Sequence, residues 1–203
     1  QDLDIRGAGN LLGAEQSGFI MDLGYETYQK ILAEAMEELG VETGISTARS
    51  EESYVEDCTI ETDQPAMIPD SYIDITAEKI RIYKQLDSMT SDKEIERVKS
   101  QLEDRFGEMP VESDNLFYVV KIRNLGGKLG FEKIIIKNGM MIMFFIANQM
   151  SPYYKSKVFS GILQNINAND QLFNLKQSEG KLKIVSRGID SLPKALQTLS
   201  KLQ

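Results

Sequence analysis

Three glycines and two long polar side chains near the N-terminus come closest to a chemical motif. Residues 4–18 read DIRGAGNLLGAEQSG, with Arg6 and Gln16 as the long polar side chains. The glycine spacing resembles a dinucleotide-binding loop, but it is one residue too long and follows no buried strand. No Gly-Lys-Ser or Gly-Lys-Thr ending indicates a phosphate loop either, so a structural connector and a working loop both remain open. The glycines of the pattern are Gly7, Gly9 and Gly13.

The composition argues against most catalytic chemistry. The 203-residue chain has no histidine, which removes the commonest general base and the commonest metal ligand. Its single cysteine, Cys58, cannot form an internal disulfide and is predicted to be a small buried side chain in a strand. We therefore expect neither a metal site nor a catalytic triad.

The composition also indicates the class of protein. A hydrophobic content of 41% and a charged content of 27% are typical of a soluble globular protein. There is no run of about 18 apolar residues that would span a bilayer, and the acidic, glycine-rich N-terminus is unlike a signal peptide. A cytoplasmic protein without a membrane partner is expected.

The net charge of −8 is unevenly distributed. Residues 121–203 carry thirteen basic and four acidic side chains, whereas the acidic excess lies before them. This basic lobe favours an acidic partner, either a protein surface or a phosphate backbone. Lysines spread over several solvated elements are the simpler alternative.

Hydrophobic periodicity predicts a boundary near residue 53. Residues 25–39 carry an apolar stripe at helical spacing that ends at Gly40, so they are predicted to form an amphipathic helix. Residues 41–52 lack such a period and read as a flexible linker. The sequence therefore predicts a loop and a helix over 1–40, a linker over 41–52 and a domain over 53–203.

The first half of that domain is predicted to begin with a strand and continue with helices. Tyr54, Cys58 and Ile60 share one face of a strand. A helix then presents one apolar face, and the capping box from Ser91 to Glu94 begins a second helix that ends at Gly107. A third helix is predicted over 113–125, ending at Gly126 and Gly127. The apolar face of the first helix is formed by Ile75, Ile82, Leu86 and Met89.

The second half is predicted to alternate hairpins with helices. Asn138-Gly139 lies between two apolar runs, which indicates a hairpin. Ser151-Pro152 is predicted to begin a helix, residues 171–186 form a second hairpin, and Ser191 begins a last helix. We therefore expect an α+β fold with a mostly antiparallel sheet packed with helices.

Several stretches resemble a known family in the same order along the chain. DIRGAGNLLGAEQSG is similar to the translocation motif shared by the RecG helicases and the bacterial transcription-repair coupling factors (Mfd). GYETYQKILAEAMEEL, MIPDSYI, RIYKQL, LEDRFGEMP and GGKLGFEKI resemble successive blocks of the coupling factors alone. The resemblance is close over residues 2 to 137, whereas over the remaining residues only the predicted order of helices and strands agrees. At Asp74-Ile75 the sequence differs from the family, which has Pro-Asp there.

The resemblance implies a role within a larger protein. Members of the family are ATP-driven translocases on double-stranded DNA that displace stalled RNA polymerase and recruit UvrA for nucleotide excision repair. Their ATP and magnesium are bound by motor domains that would precede residue 1, so no cofactor and no enzymatic activity are expected here. In the translocation motif, Arg6 and Gln16 would couple ATP hydrolysis to DNA movement.

The resemblance also implies a regulatory domain over 53–203. In the family this domain packs against the N-terminal repair-factor-binding region of the same protein and hides it from UvrA. A passive stabilising domain and a nucleic-acid-binding module that uses the basic 121–203 lobe are the alternatives.

Overall fold

The computed structural model describes residues 54–178 and 180–203. The predicted loop over 4–18, the predicted helix over 25–39 and the linker over 41–52 lie outside the described residues.

A five-stranded sheet organises the described residues, with strand order β1-β2-β3-β5-β4. β1 pairs with β2 in parallel, and every other neighbouring pair is antiparallel. This confirms the predicted α+β class with a mostly antiparallel sheet. The strands are β1 Thr59–Thr62, β2 Phe131–Lys137, β3 Met140–Phe145, β4 Asn174–Ser178 and β5 Lys181–Arg187.

Five α-helices accompany the strands in this part of the chain. Three of them separate β1 from β2, one joins β3 to β4 after a short 3₁₀ helix at Pro152–Lys155, and the last follows β5. The helices are α1 Thr76–Asp87, α2 Asp92–Phe106, α3 Val111–Leu129, α4 Lys157–Ala168 and α5 Leu192–Ser200.

Helices α3 and α4 pack on one face of the sheet, which is apolar because side chains alternate along each strand. Ile134 of β2 pairs with Met143 of β3, which pairs with Ile184 of β5, and all three are fully buried. α3 contacts this face where Gly126 meets Ile134, and Phe159 of α4 stacks edge-on against Phe145 with ring centroids 5.5 Å apart. The main core lies between this face and the helices.

The predicted end of the third helix is wrong. α3 continues through Gly126 and Gly127 to Leu129, and Gly130 ends it in the left-handed conformation. A Cβ on Gly126 would lie 2.8 Å from both Cys58 Sγ and Ile134 Cδ1. Gly126 is therefore a packing position, because the helix approaches Cys58 and β2 so closely that a side chain there would have to push them away.

The predicted start of the first helix is also corrected. Ile75 was expected on the apolar face of α1, but it is the N-cap residue and is 61% exposed. Its backbone is extended, so the helical spacing from Ile82 does not reach it. Ile82 and Leu86 are buried as predicted.

Helix α2 begins and ends where the sequence predicts, but its cap differs. Ser91 is the N-cap residue, yet its side chain accepts no capping hydrogen bond. The first turn is instead closed by Glu94 N, which donates to Ser91 O at 3.1 Å. Gly107, with a φ of 87°, ends the helix as predicted.

Ser151-Pro152 begins a different element from the one predicted. Ser151 caps the 3₁₀ helix, and Ser156 caps α4 by accepting a hydrogen bond from Phe159 N at 3.1 Å.

The first strand is shorter than predicted, because Cys58 lies just before β1 and Tyr54 is 41% exposed. The hairpin at Asn138-Gly139 is confirmed, with φ values of 53° and 70°.

A buried cation attaches α1 to α3. Arg123 is 6% exposed, and its guanidinium donates to the Asp87 carboxylate at 2.5 Å and to the Asp87 carbonyl at 2.9 Å. Asn124 Nδ2 donates to Met89 O at 2.9 Å in the same turn. Because a buried guanidinium needs such partners, these bonds fix the end of α1 against α3.

Candidate interaction surfaces

The residues that the sequence singled out for chemistry lie outside the described part of the chain. They are Arg6, Gly7, Gly9, Gly13 and Gln16. Their assignment to a translocation motif therefore stays a prediction.

The only cysteine is built into the core. Cys58 is 1% exposed and contacts the position of Gly126. Burial, which is the main cause, and the nearby Asp57 carboxylate raise the pKa of the Cys58 thiol far above its usual range. A thiol that stays protonated is a poor nucleophile, so Cys58 packs as a small apolar side chain, as predicted.

Other classes of site are absent from the described residues. Across 54–178 and 180–203, no group of three or more His, Cys, Asp or Glu side chains has the geometry to hold a metal ion. No helix in the same ranges has the length and apolarity needed to cross a membrane.

A polar groove of about 360 Å³ lies between α1 and α2. Its floor is apolar, and its rim carries both charges and amides. Gln85, Gln101 and Asp104 make no side-chain hydrogen bond or ion pair with the described residues. These groups could therefore bind a polar partner without breaking an existing contact. The groove is lined by Arg81, Ile82, Gln85, Val98, Gln101, Leu102, Asp104 and Arg105.

One carboxylate fixes the two arginines of the groove. Glu78 accepts hydrogen bonds from Arg81 at 2.6 Å and from Arg105 at 2.9 Å. The Arg81 bond first, and then the Arg105 bond, lower the pKa of Glu78. Arg105 also lies 4.8 Å from the centre of the Phe106 ring. The two guanidinium groups are thereby held at the rim, although both remain exposed.

The second surface is the sheet face opposite the helices, which we call the open face. Its middle row runs across three strands as Ile135, Ile142 and Val185, which pair in register. One flanking row contains Lys133, Phe144, Lys183 and Lys176, and the other contains Lys137, Met140 and Arg187. Glu61 of β1 and Lys181 of β5 complete the charged side chains of its strands.

The apolar residues of the open face are separate from the main core. Val185 is only 7% exposed and yet lies outside the core cluster, which contains its strand neighbour Ile184. Ile135, Ile142 and Phe144 are half-buried by their neighbours on the sheet and also lie outside that cluster. The open face is therefore a second apolar surface.

The open face is strongly basic. Six cationic side chains accompany one carboxylate, Glu61, which forms ion pairs with Lys133 and Lys137. Lys183 lies 5.7 Å from the centre of the Phe144 ring. Within 54–178 and 180–203, the remaining cations of this face have no ion pair. They are Lys176, Lys181, Lys183 and Arg187.

Sequence reasoning located the positive charge in 121–203 but missed this surface. The alternation of lysine with apolar residues in KIIIK and KLKIVSR was a usable signal, because a period of two places the lysines of a strand on one face. The register between strands was still needed to bring those lysines together.

The chain matches a known family through this domain. Residues 62–156 match the TRCF domain. The transcription-repair-coupling factor of Rickettsia typhi is 37% identical over 151 residues, which cover 74% of this chain and 13% of that protein. The Escherichia coli factor is 33% identical over 154 residues, which again cover 74% of this chain and 13% of that protein. The chain thus spans only a small part of the relatives it matches.

The fold is shared with a solved structure. The crystal structure of the C-terminal domain of a transcription-repair coupling factor superposes with a TM-score of 0.61 at 18% identity, covering 72% of this chain and 89% of that one. Family match, relatives and fold agree with the resemblance found in the sequence. The chain belongs to the transcription-repair-coupling factor family and carries its TRCF domain at residues 62–156.

Proposed function

We propose that residues 53–203 are the regulatory domain of a coupling factor, joined by the 41–52 linker to the end of its translocation motif at 1–40. The longer protein would be an ATP-driven translocase on double-stranded DNA that displaces stalled RNA polymerase in the cytoplasm. ATP and magnesium would be bound by motor domains outside this chain, and the chain would have no enzymatic activity of its own. The TRCF match carries the proposal, because it covers the core of this domain.

In this proposal Arg6 and Gln16 couple ATP hydrolysis to movement along DNA. An arginine can hold a carboxylate in a two-point geometry and release it when the motor changes state. A glutamine provides a donor and an acceptor at a loop tip. The glycines around them would provide the backbone freedom that such a loop needs.

The domain itself would act as an intramolecular lock. It would bind the N-terminal repair-factor-binding region of the same protein and so compete with UvrA for that region. A tethered contact needs only modest affinity, because the linker supplies a high effective concentration. The α1–α2 groove suits such a contact, since Gln85, Gln101 and Asp104 line it without partners among the described residues.

The test is a competition experiment with the 1–203 chain. We expect it to bind the isolated N-terminal region of the full-length protein and to reduce the binding of UvrA to that region. The double variant Gln101→Ala/Asp104→Ala should weaken this competition by roughly tenfold, because two polar contacts at the groove are lost. The matched control is Gln164→Ala/Asp170→Ala, which removes one exposed glutamine and one exposed aspartate at and just beyond the end of α4.

Two results would contradict the lock. In the first, the chain does not compete with UvrA at any concentration tested. In the second, it binds duplex DNA instead, with a logarithmic salt slope of about −0.9 for each neutralised phosphate. The second result would support the nucleic-acid-binding alternative, which the basic side chains of the open face make physically reasonable.

A further inference from the structure

We propose that the open face is a docking surface for an acidic amphipathic helix of a protein partner. The inference goes beyond the lock, because it concerns a different surface from the α1–α2 groove and a different kind of contact.

The first observation is that the apolar centre of the open face lies outside the main core, with Val185 buried and Ile135 and Ile142 half-buried. These three residues form a continuous aliphatic row, while α3 and α4 contact the opposite face. Antiparallel sheets usually place polar side chains on a face that meets solvent. An aliphatic row between basic rows is the pattern of an interaction surface, with an apolar centre and a polar rim.

The second observation is the spacing of the rows. The row through Lys133 and Lys183 and the row through Lys137 and Arg187 are four residues apart along the strands, or about 13 Å. An α-helix with its side chains is about 10–12 Å in diameter. A helix that crosses the strands above the middle row therefore fits between the two basic rows.

The middle row has the length of a helical stripe. Three neighbouring strands place Ile135, Ile142 and Val185 over about 10 Å. Apolar residues at i, i+3 or i+4, and i+7 of a helix span about the same distance. Three anchors of the helix can thus meet the row.

Charge determines the kind of helix. The open face has six cationic side chains and one carboxylate, and Lys176, Lys181, Lys183 and Arg187 form no ion pair with the described residues. Glutamates on both flanks of the stripe would lie above the two basic rows. An acidic helix is therefore favoured, and a basic one would be repelled.

The same face could attract nucleic acid, but its centre argues against that partner. Surfaces that bind single strands stack bases on several aromatic side chains. Here Phe144 is the aromatic residue among the open-face side chains of β2, β3, β4 and β5, and the remaining apolar residues are aliphatic. Branched aliphatic side chains pack well between the apolar side chains of a helix, but they offer no flat ring on which a base can stack.

The test uses the 1–203 chain, labelled with nitrogen-15, and a synthetic acidic helix. The probe has leucines at i, i+3 and i+7, glutamates on both flanks and alanines elsewhere. One control peptide has the same composition with the leucines rearranged so that the stripe is broken. A second has lysine in place of every glutamate.

We expect the acidic helix to shift the amide resonances of β2, β3 and β5 and neither control peptide to do so. Lys183→Glu/Arg187→Glu should weaken binding by roughly tenfold, because the charges on the rim become repulsive. Lys84→Glu/Lys93→Glu, which reverses two exposed lysines of α1 and α2, is the matched control and should bind like the unaltered chain. Ile142→Thr should also weaken binding, and its thermal melt would verify that the domain still folds.

The proposal is overturned if the broken-stripe peptide binds as well as the acidic helix, since the aliphatic row then plays no part. It is equally overturned if the acidic helix perturbs another surface, or none. Binding of a labelled single-stranded 12-nucleotide oligonucleotide to the open face, without binding of the helix, would assign the surface to nucleic acid instead.

Discussion

Two adjacent glycines of α3 have opposite roles at the scale of single residues. A Cβ on Gly126 would lie 2.8 Å from Cys58 Sγ and from Ile134 Cδ1, whereas a Cβ on Gly127 would have no neighbour within 4 Å. Both residues are helical, so an alanine costs no unusual backbone conformation at either position. The two positions differ in packing alone.

The pair therefore gives a controlled measurement of overpacking. Gly127→Ala should raise the free energy of unfolding by up to about 1 kcal/mol, because alanine is the better helix former. Gly126→Ala should gain the same stabilisation from helix propensity. It should also lose about 1–3 kcal/mol of unfolding free energy, because its methyl group pushes Cys58 and Ile134 away from the helix. Urea denaturation of both variants should thus separate them by about 1–3 kcal/mol. Equal stabilities would mean that the contact of α3 with β1 and β2 is loose.

At the scale of elements, Glu61 links the two parallel strands. Its carboxylate forms ion pairs with Lys133 and Lys137, which lie on either side of Ile135 on the open face of β2. The Lys133 bond first, and then the Lys137 bond, lower the pKa of Glu61. Because the pKa of this carboxyl is lower in the folded protein than in the unfolded chain, the ion pairs stabilise the fold fully at pH values above the pKa of the unfolded chain. This stabilisation is lost as the pH falls through the pKa of the folded protein.

Glu61→Gln should consequently be less stable than the unaltered chain at neutral pH and equally stable in acid. The expected loss at pH 7 is up to about 1 kcal/mol, because the pair is partly exposed and screened by solvent. The difference should shrink below about pH 4, near the unfolded pKa of a glutamate, and vanish once the folded carboxyl is protonated. Thermal melts of both proteins between pH 2 and pH 7 measure this, and a loss that is independent of pH would contradict the ion-pair explanation.

The sequence predicted elements whose signals are local. Asn138-Gly139 gave the hairpin and Gly107 gave the end of α2, because a left-handed turn favours these residue types whatever surrounds them. Gly126 was misread as a helix end, because its reason lies in β1 and β2, which are distant in sequence. The open face was missed for the same reason, because the register between strands decides which side chains lie beside each other in a row.

At the scale of the whole molecule, the helical side and the sheet side differ in charge. α1 and α2 together carry seven acidic and seven basic side chains, whereas the open face carries six cationic side chains and one carboxylate. A partner of mixed charge at the groove and an acidic partner at the open face could therefore bind without competing. This separation makes the lock and the helix-docking proposal independent of each other.

The predicted domain boundary is testable at the same scale. A chain that begins at Ser53 should fold as a unit, because residues 54–178 and 180–203 contain a continuous core cluster of their own. If the predicted boundary is right, its melting temperature should lie within about 3 °C of that of the 1–203 chain. A much lower melting temperature would mean that residues 1–52 pack against the domain and that the boundary is wrong.

The parallel pairing of β1 with β2 has a consequence for the order of folding. β2 with β3 and β4 with β5 form hairpins, and the 35 residues 146–180 separate β3 from β5, whereas the 68 residues 63–130 separate β1 from β2. Closing so long a loop costs entropy before any contact of β1 is gained. β1 should therefore join a sheet that has already formed, and its loss should be the first step of unfolding. Because β1 is the first strand after the predicted boundary, tension on the chain from the N-terminal side would act on this late-forming strand before it reached the hairpins.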